Sequence, residues 1–334
     1  MTWFWFLVAA SAIVTAGTAL ARYGDAIADR TGLGSTWIGL VLVAGTTSLP
    51  ELFTGVSASL VHGLPDIVIG DVLGSCLFNL LILSLIDALA GPNPLSARVH
   101  QGHALALGFG LLVLGVVGFG LSGRGGLAPL GWIGVTTPVV IGLYLLAMRL
   151  LFTFERRRAA EQTDVLRLAP PKDGLTLRQA GIRYGAAAAV VVVGASMLPS
   201  LGAQLAQQTG FGQALVGTFF IAMTTSLPEV AVSLAAVRQG SLDLAVGNIL
   251  GSNLFNLLIL ALADVLYLPG GLLAAGHSSH MVALWGVVVM NALLLVGLTY
   301  RALRKPFRLG WDMAGIAITY AATMGLLYAL RRGA

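Results

Sequence analysis

The sequence predicts an all-α, polytopic membrane protein with ten transmembrane helices arranged as two inverted five-helix repeats. Three observations carry this: an apolar composition, ten segments of spanning length, and a set of polar motifs that occurs twice. Hydrophobic residues make up 57% of the 334 and charged residues 10%, with a mean hydropathy of +0.88, far outside the balance of soluble domains.

A run of about 20 apolar residues crosses roughly 30 Å of hydrocarbon as a helix. Such runs lie at 2–20, 36–60, 66–89, 103–121 and 129–152 in the first half, and at 180–198, 212–236, 243–266, 280–300 and 312–330 in the second. The opening "MTWFWFLVAASAIVTAG" has no basic leader region, so it reads as the first span and not as a cleaved signal. The charged, proline-containing stretch "FERRRAAEQTDVLRLAPPKDG" joins the halves. The expected organisation is therefore a first half at 1–152, a linker at 153–179 and a second half at 180–334.

The basic residues follow the membrane. Alternate loops on one side hold Arg22, Arg30, Arg98, Arg156, Arg157, Arg158, Arg167, Lys172, Arg178, Arg238, Arg301, Arg304, Lys305 and Arg308, against Arg124, Arg331 and Arg332 on the other. The positive-inside rule makes the first side cytoplasmic. The 153–179 loop is then inside and both termini outside, as for a bacterial-type inner or plasma membrane. A pI near 9.7 thus reflects topology, and no nucleic-acid partner is expected. The expected partners are inorganic cations and the lipid bilayer, with a monomer as the transporting unit. Cys76 is the single cysteine, so neither a disulfide framework nor a Cys/His metal cluster is expected; it reads as a small packing residue.

"DIVIGDVLGSCLFNLLILSLID" (66–87) aligns without gaps to "DLAVGNILGSNLFNLLILALAD" (243–264), with 14 of 22 positions identical. Chance similarity among leucine-rich helices would not also match the Gly, Ser, Phe, Asn and Asp positions. "TTSLPE" likewise occurs at 46–51 and 224–229. Five spans is an odd number, so the second half enters the membrane from the opposite face. That is an inverted-repeat architecture, in which substrate sites lie near the bilayer midplane at interrupted helices.

Pro50 and Pro228 have no N–H to donate, and their rings press on the carbonyls of Thr46 and Thr224. In hydrocarbon a freed carbonyl persists only where protein, water or an ion meets it. Thr47 and Ser48 lie four and three residues before Glu51 and share its helix face, as Thr225 and Ser226 do for Glu229. On the following helices Ser75 and Asn79 project from one face, as do Ser252 and Asn256, while Gly70, Gly74, Gly247 and Gly251 let helices approach closely. The combined set is all oxygen with two negative charges, which suits hard cations such as Ca²⁺ or Na⁺. An unpaired carboxylate at this depth costs between about 2.5 and over 10 kcal/mol, and no Lys or Arg lies in the central part of these helices. The counter-charge must therefore come from outside the protein: one Ca²⁺ cancels both charges, and sodium ions or protons could replace it.

"GTTSLPE" and "MTTSLPE", each followed by a "GDVLGSCLFN" or "GNILGSNLFN" helix, resemble the two alpha-repeats of the sodium/calcium exchanger family within the cation/calcium antiporter superfamily. The resemblance covers both repeats (44–87 and 222–264) and essentially the whole chain. It implies an antiporter that exchanges Ca²⁺ for Na⁺, or for H⁺ in one branch, by alternating access. By position, Glu51 and Glu229 would be the principal Ca²⁺ ligands. Thr47, Ser48, Ser75, Thr225, Ser226 and Ser252, with the carbonyls of Ala44 and Ala222, would serve Na⁺ sites, and Asn79 and Asn256 would complete the centre. Asn256 stands where potassium-dependent members have Asp, which argues against potassium co-transport. Cys76 and Asp71 stand where the second repeat has Asn253 and Asn248; Asp71 is read as a third carboxylate for cation recruitment or proton binding.

No cofactor is expected, since the ions are cargo. The bland alternatives are backward hydroxyl bonds to carbonyls, and Asn79 and Asn256 acting only as interhelical clamps. Asp66, Asp87, Asp243 and Asp264 lie near helix ends and read as caps or as groups solvated at the membrane interface. An intramembrane enzyme is disfavoured because His62, His100, His103, His277 and His280 fall in loops or at helix ends. A channel would not need two interrupted helices in opposed halves. Sodium is favoured as coupling ion by the Thr-Ser pair in each repeat, with a proton-coupled cation antiporter as the alternative.

Overall fold

The computed structural model describes residues 1–60, 63–122, 130–161, 174–209, 223, 225–305 and 308–332. It is helical throughout, with no strand among the described residues. The helices are α1 (Thr2–Thr31), α2 (Ser35–Thr47), α3 (Leu49–Leu60), α4 (Pro65–Leu89), α5 (His103–Leu121), α6 (Thr136–Glu161), α7 (Leu177–Thr209), α8 (Leu227–Arg238), α9 (Leu242–Leu266), α10 (His280–Tyr300) and α11 (Trp311–Arg332). Among the described residues eight helices are long and apolar enough to span, and nine when α2 and α3 count as one broken span. The first half of the 212–236 span lies outside the described residues, and α8 is its remainder.

Several helices differ in extent from the apolar runs. α1 continues past residue 20 to Thr31, and α7 runs 33 residues to Thr209. At 1.5 Å per residue each is about 45–50 Å long, more than the hydrocarbon thickness. The two pack along each other, and α1 also packs on α8, so the helices continue beyond their apolar runs. α6 begins at Thr136 and not at 129, because Pro138 fits the first helical turn.

α4 and α9, the aligned repeat helices, are largely buried and pack against each other at the centre. Their ends are tied in matching ways. Asp66, at the start of α4, accepts the backbone N–H of His277 at 2.6 Å and meets His280 Nε2 at 2.9 Å. Asp243, at the start of α9, accepts the N–H of His100 at 2.7 Å and meets His103 Nε2 at 3.0 Å. At the other ends, Asp87 accepts the N–H groups of Leu95 (2.6 Å) and Gly310 (2.7 Å), and Asp264 those of Leu272 (2.5 Å) and Gly134 (2.7 Å). Each acid reaches a segment of the other half, and Asp87 and Asp264 also bind one of their own half, in matching pairs. The four aspartates satisfy orphan backbone donors.

α2 lies against α9 with almost no side chain between them. A Cβ on Gly39 would sit 2.6 Å from the Leu244 carbonyl oxygen, and one on Gly247 would sit 2.8 Å from that of Thr36. Gly70, by contrast, faces only the His280 ring at 3.4 Å. Gly247→Val is expected to cost about 3 kcal/mol or more through overpacking against backbone. Size-exclusion chromatography in detergent should show loss of the monodisperse species. Gly108→Ala, where nothing lies within 4 Å, should leave the elution profile unchanged; equal behaviour of the two variants would contradict the close-contact account.

Candidate cation site

The break between α2 and α3 creates the first half of the site. Residues 38–43 form a wide π-helical turn, and the axis then bends by 46° at Ser48. Ser48 takes φ −90° and ψ 8°, and Ser226 in the second repeat takes φ −82° and ψ 7°. Both motifs therefore hold the same backbone conformation at the serine two before the proline. Glu51 and Glu229 follow in the first turns of α3 and α8, where free N–H groups and the helix dipole favour negative charge.

The two half-sites meet. Ser48 Oγ of the first repeat donates to Glu229 Oε1 of the second at 3.1 Å, and Ser252 Oγ donates to the same oxygen at 3.2 Å. Thr47 Oγ1 lies 3.2 Å from Asn248 Oδ1 and 3.3 Å from Ser252 Oγ. Asn79 Nδ2 donates to Asn253 Oδ1 at 3.1 Å. Glu51, Glu229, Thr47, Ser48, Ser75, Asn79, Thr225, Ser226, Ser252 and Asn256 are all fully buried. Thr46 turns away, with its hydroxyl 2.8 Å from the Leu42 carbonyl oxygen and 3.0 Å from the Tyr184 hydroxyl.

Several buried polar atoms find no hydrogen-bond partner among the described residues. They are both carboxylate oxygens of Glu51, Oε2 of Glu229, Ser75 Oγ, Ser226 Oγ, Asn79 Oδ1, and both polar atoms of the Asn256 carboxamide. Unsatisfied buried groups each cost free energy, and their concentration between the two breaks marks a place built to meet something polar. Among the described residues no Lys, Arg or His pairs with Glu51 or Glu229. The donor set fits a hard cation.

The remaining sequence candidates divide. The Ala44 carbonyl already accepts the Ser48 N–H at 3.0 Å and lies 3.3 Å from the Thr47 hydroxyl. Ala222 and Thr224 lie outside the described residues. Asp71 is buried, with both oxygens unpartnered among the described residues. It does not join Glu51 and Glu229 in a group of three acids able to hold one metal ion. Sequence reasoning missed Asn248, Asn253 and Ser233. Asn248 Nδ2 donates to Ser233 Oγ at 3.0 Å while its oxygen faces Thr47. The available signal was spacing: 248, 252 and 256 fall on one face of α9 at intervals of four.

The model of the family described as "Sodium/calcium exchanger protein" matches residues 1–154 and 184–330. The chain is 32% identical over 283 residues to "Inner membrane protein YrbG" of Escherichia coli, covering 83% of this chain and 82% of that protein. It is 28% identical over 289 residues to "Putative antiporter CaxA" of Alkalimonas amylolytica, covering 85% and 86%. Among solved structures it is similar to the sodium-calcium exchanger NCX_Mj soaked with 10 mM Na⁺ and 10 mM Sr²⁺. That likeness has a TM-score of 0.73 and 22% identity over 97% of each chain, and it supports the fold.

Proposed function

We propose that this chain, which belongs to the sodium/calcium exchanger protein family, exchanges Ca²⁺ for Na⁺ by alternating access at the site between its two breaks. The family makes it an integral membrane cation/calcium antiporter; the ion pair, the mechanism and the sidedness belong to the proposal. The observation that carries it is the cross-repeat pairing of Ser48 with Glu229, beside a Glu51 carboxylate with no partner among the described residues. Two buried carboxylates without a protein counter-charge need about two positive charges from elsewhere. One Ca²⁺ supplies both.

In this reading Glu51 and Glu229 hold Ca²⁺, with Asn79 and Asn256 beside them. Thr47, Ser48, Ser75, Thr225, Ser226, Ser252 and the carbonyls of Ala44 and Ala222 offer neutral oxygens to the Na⁺ ions that replace it. The exchange is obligatory because an ion-free site leaves the carboxylates charged and buried, which opposes any change of access. The 153–179 loop faces the cytoplasm, and the chain works as a transporter and not as an enzyme. Asp71 recruits cations or takes a proton.

The test is ⁴⁵Ca²⁺ uptake into proteoliposomes with an outward Na⁺ gradient, an outward H⁺ gradient, or neither. Uptake is expected to rise several-fold with the Na⁺ gradient alone. A response to H⁺ alone would make the protein a proton-coupled antiporter and give Asp71 the coupling role. Uptake indifferent to both gradients would overturn the antiporter reading.

A further inference from the structure

α4 and α9 cross at Cys76 and Asn253, residues that occupy the same position in the two repeats. Each side chain reaches the other's backbone. Asn253 Nδ2 donates to the Cys76 carbonyl oxygen at 3.3 Å, and Cys76 Sγ donates to the Asn253 carbonyl oxygen at 3.9 Å. The crossing is therefore symmetric in its backbone contacts.

The site amides one turn further on are not treated alike. Asn79 is anchored, because its Nδ2 has the Asn253 side-chain oxygen as acceptor at 3.1 Å. This leaves its own Oδ1 buried and unpartnered among the described residues. The repeat-related partner for Asn256 is Cys76. The Asn256 carboxamide has the Cys76 sulfur as its hydrogen-bonding neighbour, and a thiol sulfur is only a weak acceptor. Asn256 is fully buried, and beyond that weak sulfur contact neither Nδ2 nor Oδ1 finds a partner among the described residues. With Cys at 76, only one of two symmetry-related amide–amide bonds forms at the candidate site.

We propose that Cys76 is a positioning residue: by offering Asn256 only a weak sulfur acceptor it leaves one of the two site amides poorly anchored, which weakens the hold on Ca²⁺. This inference rests on the exchanger reading above. An anchored amide presents its oxygen to the cation at no ordering cost, as Asn79 does. A poorly anchored one must be oriented by the ion itself, and that cost falls on binding. The thiol thereby sets affinity through Asn256 without touching the ion.

The test is a double-mutant cycle on the full chain, with Cys76→Asn and Asn256→Ala separately and together. The readouts are KM and kcat for Ca²⁺ uptake in proteoliposomes and the Ca²⁺-induced shift in Tm in detergent. Asn is close to Cys in volume, so the crossing should accommodate it. Cys76→Asn is expected to lower KM for Ca²⁺ about fivefold, the factor a single neutral hydrogen bond contributes, with a smaller effect on kcat. In the Asn256→Ala background the same substitution should leave KM unchanged. Cys76→Ser carries the same comparison with a smaller acceptor and an expected shift of about twofold in the same direction, so a misfolded Cys76→Asn does not remove the test. A KM that is unmoved, or that moves equally with and without the Asn256 amide, overturns the inference while leaving the exchanger reading intact. A wild type with neither Ca²⁺ uptake nor a Ca²⁺-induced Tm shift overturns both.

Discussion

Glu51→Gln and Glu229→Gln are each expected to reduce Ca²⁺ exchange by about a hundredfold or more, because stripping one charge from a buried ionic contact costs about 3 kcal/mol or more. The side chains have nearly the same shape, so the loss is one of charge and not of packing. Gln at 229 keeps a carbonyl oxygen for the Ser48 and Ser252 hydroxyls that now reach Glu229 Oε1. Gln at 51 keeps a carbonyl oxygen for the Ser226 hydroxyl that neighbours Glu51, and the Glu51 oxygens otherwise have no partner among the described residues. Both variants should therefore fold. In cation-free buffer they should unfold at the same temperature as the wild type or higher, because two buried like charges have become one. A lower cation-free Tm together with lost exchange would mean that the glutamates hold the fold and not the ion. Retained exchange in the double variant would remove them from the site.

Lys305→Met is expected to destabilise the protein by about 3–5 kcal/mol, the cost of leaving one partner of a buried ion pair alone. Lys305 Nζ lies 2.9 Å from Asp87 Oδ1, with side-chain exposures of 2% and 0%. It also donates to the Asp87 carbonyl oxygen and, at 3.1 Å, to that of Gly91. The same carboxylate caps Leu95 and Gly310, so one acid ties the end of α4 to the connection between α10 and α11. Its repeat-related counterpart, Asp264, takes the Thr137 hydroxyl at 2.5 Å and has no lysine among its described partners. The prediction is therefore asymmetric. Thermal unfolding in detergent should show a drop of roughly 10 °C for Lys305→Met and a much smaller one for Thr137→Ser. Adding Asp87→Asn to Lys305→Met should recover part of the loss, because the amide oxygen can still accept a backbone N–H. No recovery, or no initial loss, would count against the pair as a structural tie.

What could be read from the chain follows from which features are repeated. The two "TTSLPE" segments predicted a break ahead of each proline, and the structure puts it at Ser48 and Ser226 with nearly equal backbone angles. Asp66, Asp87, Asp243 and Asp264 read as caps or interface-solvated groups; instead they accept N–H groups of other segments, and neither α4 nor α9 has a side-chain N-cap bond. Helix length was not legible. α1 runs to Thr31 through Arg22, Asp25, Asp29 and Arg30, because packing against α7 and α8 sustains a helix where hydropathy has ended. The π-helical turn at 38–43 has no propensity signal, since it arises where Gly39 lets α2 rest on the backbone of α9. Asn248 and Asn253 were set aside as mere counterparts of Asp71 and Cys76. Their roles depend on which side chain crosses the pseudo-twofold, and that is a tertiary fact.

The central claim is that two inverted half-sites make one cation cage. Equilibrium ⁴⁵Ca²⁺ binding to purified protein in Na⁺-free detergent buffer tests it most directly, by counting ions per chain. The account predicts one Ca²⁺ per chain, displaced by added Na⁺ and lost in either single Gln variant, because each half supplies one of the two charges. Two Ca²⁺ per chain, with one surviving each single substitution, would mean two independent half-sites and would contradict it.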